Sequence, residues 1–175
     1  MPLPKPYATD RAERGVTMEF ANRKSTRIHG YDYSTPNYYF VTICTHNRKC
    51  IFGNPGNLNV YGVFAEEYLL QISRFYPSIK VDKFVVMPNH IHAIVIVQAQ
   101  TKEQVRKDLT AAVGQYKMSV TKKIRKIRPG ERVWQRSFHD HIIRNQYGYQ
   151  KIWEYIDNNP QKWEEDCFYW KEVCY

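Results

Sequence analysis

The sequence predicts an α+β fold, a ferredoxin-like sandwich: one antiparallel sheet with helices on one face, followed by a further C-terminal helix that carries a tyrosine. Three observations predict it. Aromatic and β-branched runs of strand length recur at 38–45, 81–86, 93–97 and 133–144. Two stretches with apolar residues spaced three and four apart lie among them, at 65–75 and 102–127. Taken in chain order they read β-α-β-β-α-β, the split β-α-β arrangement that closes into an antiparallel sheet.

The first 36 residues show little apolar periodicity and read as a basic arm. Arg23, Lys24 and Arg27 are placed to touch phosphates, or to form an ordinary solvated terminus. The first strand is Tyr38-Tyr39-Phe40-Val41-Thr42-Ile43-Cys44-Thr45. A polar stretch from His46 to Lys49 and a loop from Gly53 to Asn59 follow. The first helix is expected from Ala65 to Phe75, with Ala65, Tyr68, Leu69, Ile72 and Phe75 on its buried face and Pro77 ending it. Val81–Val86 and Ala93–Val97 form a hairpin around the turn residues Pro88 and Asn89.

A second helix is expected from Lys102 to Ile127, with Val105, Leu109, Ala112, Val113, Tyr116, Val120 and Ile124 as its stripe. Its second half carries Lys117, Lys122, Lys123, Arg125 and Lys126. These cations either complement the helix dipole or form a phosphate-binding surface. Val133–Arg144 is read as the fourth strand and Tyr149–Asn158 as a last short helix, stopped by Pro160. The chain thus divides into an arm at 1–36, a body at 37–162 and an aromatic tail at 163–175.

With 175 residues, 43% of them apolar and 15% aromatic, the chain can bury a real core, which excludes disorder throughout. Lysine and arginine outnumber acids 26 to 17, a net charge of +9, and fourteen tyrosines and four tryptophans offer flat faces for bases. That combination suits a polyanion such as nucleic acid. No run of apolar residues is long enough to span a bilayer, and Met1–Pro6 lacks the apolar core of a secretory signal. The four cysteines show no C-x-x-C spacing and no disulfide framework, so a reducing compartment is expected.

Chemistry enters at Met87-Pro88-Asn89-His90-Ile91-His92. Residues 90 and 92 share one face of a strand, about 6.6 Å apart. Two imidazoles on one face can form half of a metal site, or can sit at a polar strand end satisfied by water and carbonyls. In the last helix Tyr155 and Asn159 are one turn apart on one face. The Asn159 amide oxygen can complete a site begun by the histidines, with the Tyr155 hydroxyl beside it. The alternative is a tyrosine whose ring packs and whose hydroxyl meets water.

The series Met87 to His92, then Tyr155-Ile156-Asp157-Asn158-Asn159-Pro160, resembles the single-tyrosine HUH transposases of the IS200-like group. Among them it is most similar to the REP-associated tyrosine transposases. Gly30-Tyr31-Asp32-Tyr33, Gly114-Gln115-Tyr116-Lys117, Trp134-Gln135 and His141-Ile142-Ile143-Arg144-Asn145 extend the resemblance over about residues 23–162. It implies a DNA-cleaving and rejoining enzyme in which His90, His92 and Asn159 hold a divalent ion, Mg²⁺ or Mn²⁺, and Tyr155 is the nucleophile. Asn159 stands where insertion-sequence relatives carry glutamine. The resemblance further implies hairpin and single-stranded DNA as substrate, a 5′-phosphotyrosine intermediate, a monomer in preference to a homodimer, no membrane partner, and a place in the bacterial cytoplasm at the nucleoid. Two rivals stay open. One is a repeat-DNA-binding regulator of the same fold without catalysis; the other is a metallohydrolase using His90, His92, His139 and His141 around Zn²⁺.

Overall fold

A computed structural model of the chain describes residues 30–99 and 108–169. In chain order the elements are β1 (Asn37–Cys44), a 3-10 turn (His46–Arg48), a small ribbon of β2 (Gly53–Asn54) and β3 (Asn57–Leu58), α1 (Val60–Leu70), α2 (Ile72–Phe75), β4 (Ile79–Met87), β5 (His90–Val97), α3 (Leu109–Ile127), β6 (His139–Ile143), α4 (Gln146–Asn158) and a 3-10 turn (Trp163–Glu165). The main sheet runs β4-β5-β1-β6, with every neighbouring pair antiparallel. This is the strand order of a ferredoxin-like sandwich.

Side-chain alternation divides the sheet into two apolar faces. Tyr39, Val41 and Ile43 of β1 with Ile91, Ala93, Val95 and Val97 of β5 pack against Ala65 and Leu69 of α1 and Leu109, Ala112, Val113, Tyr116 and Val120 of α3. Phe40, Val85, Ile94 and Ile143 point the other way, to Ile152, Trp153, Tyr155 and Ile156 of α4. The helices α1 and α3 thus cover one face and α4 the other. Buried on both sides, β5 reads as a continuous apolar run interrupted only by its histidines.

Several boundaries differ from the sequence expectation, each for a local reason. Helix α1 starts at Val60 rather than Ala65, because the Asn59 side chain accepts from the Tyr61 and Gly62 amides. It breaks at Gln71, so the expected single helix becomes α1 and α2. Helix α3 starts at Leu109, where Asp108 is extended and its carboxylate caps the Ala111 amide; the expected start at Lys102 lies outside the described residues. Val105 lies outside the described residues. The expected strand at 133–144 shortens to His139–Ile143, with a single bridge between Thr45 and Trp134 upstream. Helix α4 starts at Gln146, capped by Asn145, three residues earlier than expected. Cys44 and Cys167 are free thiols, whereas Cys50 is disulfide-bonded, contrary to the expectation of an unpaired set.

Candidate active site

His90 and His92 occupy the start of β5, where Met87 and Val85 on one side and Cys44 and Thr42 on the other are their cross-strand partners. Both rings lie on the α4 face, 4.4 Å apart between centroids. Both are buried, His90 at 0% exposure and His92 at 2%. The turn residue Asn89 orients the first ring. Its Nδ2 donates to the carbonyls of Arg48 and Phe168, which leaves its Oδ1 facing His90 Nδ1 at 2.8 Å. An amide oxygen only accepts, so Nδ1 carries the proton and Nε2 presents a lone pair. His92 Nδ1 lies 2.8 Å from the Thr42 hydroxyl. Burial, reinforced by the Arg48 charge, depresses the His90 pKa to about 3. Burial first, then the neighbouring His90, pushes His92 well down. Both rings are therefore neutral at pH 7 with nitrogens able to ligate.

Helix α4 brings Tyr155 and Asn159 onto this pair. The Tyr155 hydroxyl sits 3.2 Å from His92 Nε2. Its ring stands edge-on to Phe40 and His92. Tyr149, six residues earlier, faces elsewhere and donates to Asp82. Asn159 is 3% exposed. Its Oδ1 and His90 Nε2 are buried with no hydrogen-bond partner among the described residues.

Sequence reasoning missed the segment that follows α4. Asp166 Oδ2 accepts from the Tyr155 hydroxyl at 3.1 Å and from Asn159 Nδ2 at 2.7 Å. His90, His92 and Asp166 place one ligand-type atom each within 4.8 Å of one another. Phe168 lies over the histidine rings, 4.6 Å from His90 and 5.8 Å from His92, with the Arg48 guanidinium on its ring at 5.3 Å. Trp163 packs beside His90. No spacing rule points to Asp166, which sits in a Glu-Glu-Asp run that reads as solvated. The site opens through a pocket of about 280 Å³ that Lys151, Tyr155, Asn159, Lys162 and Asp166 help to line.

The donor set matches a cation. His90 Nε2 and Asn159 Oδ1 are orphaned acceptors, and ligand-type atoms of His90, His92 and Asp166 gather within 4.8 Å of one another. Two buried acceptors without donors, His90 Nε2 and Asn159 Oδ1, are costly unless a cation or a water meets them. His139 and His141 project from the edge strand β6, are exposed, and stand outside this cluster. A four-histidine centre therefore has no support in the geometry.

The basic residues divide. Lys117 turns inward, its Nζ donating to the carbonyls of Gln135 and Ser137. Lys123 stacks over Phe64. Lys122, Arg125 and Lys126 are exposed and line a groove with Met118 and Trp134. Arg23, Lys24 and Arg27 lie outside the described residues. Among the described residues no helix is long and apolar enough to cross a membrane.

Residues 33–159 match the family described as "Transposase IS200 like". An uncharacterized protein of Haemophilus influenzae is 35% identical over 168 residues, covering 85% of this chain and 93% of that protein. A REP-associated tyrosine transposase, solved bound to a REP hairpin, shares the fold: its TM-score is 0.61 at 22% identity, covering 78% of this chain and 73% of that one. The matched span runs from the first strand's approach through the histidine pair to the tyrosine helix, and this chain belongs to the IS200-like transposase family.

Proposed function

We propose that the protein cleaves and rejoins single-stranded DNA next to a hairpin, with Tyr155 as the nucleophile and His90, His92 and Asn159 holding a divalent ion, Mn²⁺ or Mg²⁺. The observation that carries this is the Tyr155 hydroxyl, 3.2 Å from His92 Nε2, beside two buried acceptors without partners. The family supports a transposase-type activity on DNA, and the hairpin-bound structural neighbour supports the choice of substrate.

Tyr155 Oη attacks the scissile phosphorus, a 5′-phosphotyrosine bond forms, and the bond to the 3′ oxygen breaks. The proton that the phenol loses ends on the departing 3′ hydroxyl. One phosphoester replaces another, so the strand is resealed by the reverse attack without an external energy source. Burial, then the Asp166 charge, push the Tyr155 phenol upward. When bound, the ion supplies positive charge that polarises the scissile phosphate and opposes the field holding Tyr155 protonated. Imidazole ligands favour Mn²⁺ over Mg²⁺. Asn89 and Thr42 hold the two rings in place for that task. Lys151 and Lys162 beside the pocket supply positive charge for the phosphate backbone.

The test is a denaturing gel with a labelled oligonucleotide carrying a hairpin and a short single-stranded flank. Wild type with Mn²⁺ should leave label attached to protein. Tyr155→Phe should remove the adduct while hairpin binding persists, and Tyr149→Phe should retain it. A Tyr155→Phe protein that still forms adduct rules out this nucleophile. Hairpin binding with no adduct in any form of the protein favours a regulator without catalysis.

A further inference from the structure

The residues matched by the family model stop at Asn159, yet the polypeptide does not leave the site there. Pro160 and the turn Trp163–Glu165 bring the chain back across the histidines. The fixed points of the return are Trp163 against His90, the Phe168 carbonyl on Asn89 and the Phe168 ring on both imidazoles. Between them Asp166 makes a tight turn, its Oδ1 accepting from the Phe168 amide at 2.7 Å. This turn points the second oxygen, Oδ2, inward. There it meets Tyr155 and Asn159 Nδ2, and one ring nitrogen each of His90 and His92 lies within 4.8 Å of the carboxylate.

Three features separate this carboxylate from a solvated acid. Its Oδ2 is held beside the two imidazoles by the Tyr155 hydroxyl and Asn159 Nδ2. Its separation from those nitrogens, up to 4.8 Å, is a few tenths of an ångström wider than the about 4.4 Å that donors about 2.0–2.2 Å from one ion can span, so a small inward shift would bring all three onto one cation. It also holds the Asn159 amide by its nitrogen, while Asn159 Oδ1 stays buried without a hydrogen-bond partner among the described residues. A carboxylate whose only role was to fix the tyrosine would leave His90 Nε2 and Asn159 Oδ1 unexplained.

We propose that Asp166 is a direct protein ligand of the divalent ion, forming with His90 Nε2 and His92 Nε2 a two-histidine, one-carboxylate set with the Asn159 amide oxygen alongside. The inference rests on the metal reading of the site given above and adds a ligand that comes from beyond the tyrosine helix. One negative charge offsets half the charge of the ion, and the nitrogen ligands favour Mn²⁺ over Mg²⁺. The segment 163–168 then belongs to the metal site.

The experiment measures metal affinity in the full-length protein without DNA, apart from any cleavage. Mn²⁺ is titrated into wild type and Asp166→Asn, following heat and the metal-dependent rise in melting temperature. Loss of an outer-shell partner weakens metal binding about 10–100-fold, so loss of a direct ligand should weaken it at least tenfold. The metal-dependent rise in melting temperature should shrink accordingly. Metal-free melting of Asp166→Asn reports whether the fold persists. A ligand swap gives a readout that docking alone does not move: in a Cys167→Ser background, Asp166→Cys with Cd²⁺ should show a sulfur-to-metal charge-transfer band absent from the parent. Equal Mn²⁺ affinity in wild type and Asp166→Asn, or no such band from a folded Asp166→Cys protein, overturns the inference. Wild type that binds no Mn²⁺ overturns it together with the metal reading, whereas the tyrosine adduct stands or falls by its own gel.

Discussion

His90 and His92 differ in what holds their Nδ1 atoms, and that difference sets what each tolerates. The His90 partner is an amide locked by two carbonyls, whereas the His92 partner is a rotatable hydroxyl on the neighbouring strand. Thr42→Val should leave His92 Nδ1 buried without a partner. Adduct formation should fall about 10–100-fold, as for other supports of metal ligands, and stability should fall by about 1–3 kcal/mol. Thr42→Ser, which restores the hydroxyl, should recover adduct formation to within a few-fold. A valine variant as active as wild type would show that Thr42 does not orient the ring. The two histidines were legible in the sequence because strand alternation is rigid: positions 90 and 92 had to share a face. Asp166 was not legible, because its place depends on how a short turn after α4 folds back, and nothing in its spacing encodes that. Arg48 was equally hidden. It sits beside Asn47 in a tight turn where both backbones take positive φ, at 53° and 55°, so strand and helix periodicities do not reach it.

Strand β4 owes its two-sidedness to an irregularity. Val81 pairs with Val95 but Lys83 pairs with Ile94, so Asp82 is an extra residue in the ladder. The bulge reverses the alternation. Ile79 and Val81 face α1 and α3, while Val85 and Met87 join the histidine face and Lys83 reaches Asp157 of α4. The displaced Asp82 meets the Tyr149 hydroxyl. An apolar run such as Val81–Val86 shows that a strand exists but not where its phase slips. The helix starts, by contrast, were readable from Asn59, Asp108 and Asn145, all favoured capping residues, which apolar spacing alone overlooks. At α1 the packing is tight enough to forbid a methyl group: a Cβ on Gly62 would lie 2.4 Å from the Phe52 carbonyl oxygen. Gly62→Ala should therefore cost about 1–3 kcal/mol despite alanine's better helix propensity, read as a lower urea midpoint. A neutral or stabilised variant would mean that α1 shifts freely on the ribbon.

At the scale of the whole molecule, both apolar layers hold groups that the fold keeps protonated. Burial raises the Cys44 thiol from 9.0 to about 12. Burial, joined at Tyr39 by its hydrogen bond to Tyr31, also raises Tyr39 and Tyr116 above the ordinary 10.0. Raised values mean that the native state holds more protons than the unfolded chain once the pH passes about 9, so stability is full below that point and falls as pH rises. Urea midpoints should drop between pH 8 and pH 11. Tyr116→Phe should lose about 1 kcal/mol at neutral pH, from its hydrogen bond to the Ala65 carbonyl, but decline less steeply in alkali. A midpoint that stays flat to pH 11 contradicts this. On the proposed DNA-binding reading, replacing Lys122, Arg125 and Lys126 with glutamine should flatten the salt dependence of hairpin affinity by about 0.9 in slope for each phosphate no longer neutralised. An unchanged slope places the DNA away from the α3 groove.

The strand order also has a consequence in time. β1 is the first main strand of the sheet to be made, and it lies between β5 and β6. Its Thr42 pairs with His92 on one side and with His139 on the other. At about 5–20 residues per second of synthesis, its second neighbour emerges roughly 5–20 s after β1 itself. Until then a chain segment that is apolar on both faces has at least one edge of unpaired peptide groups. The strand that anchors the finished sheet is thus the one most exposed to wrong partners while the protein is being born.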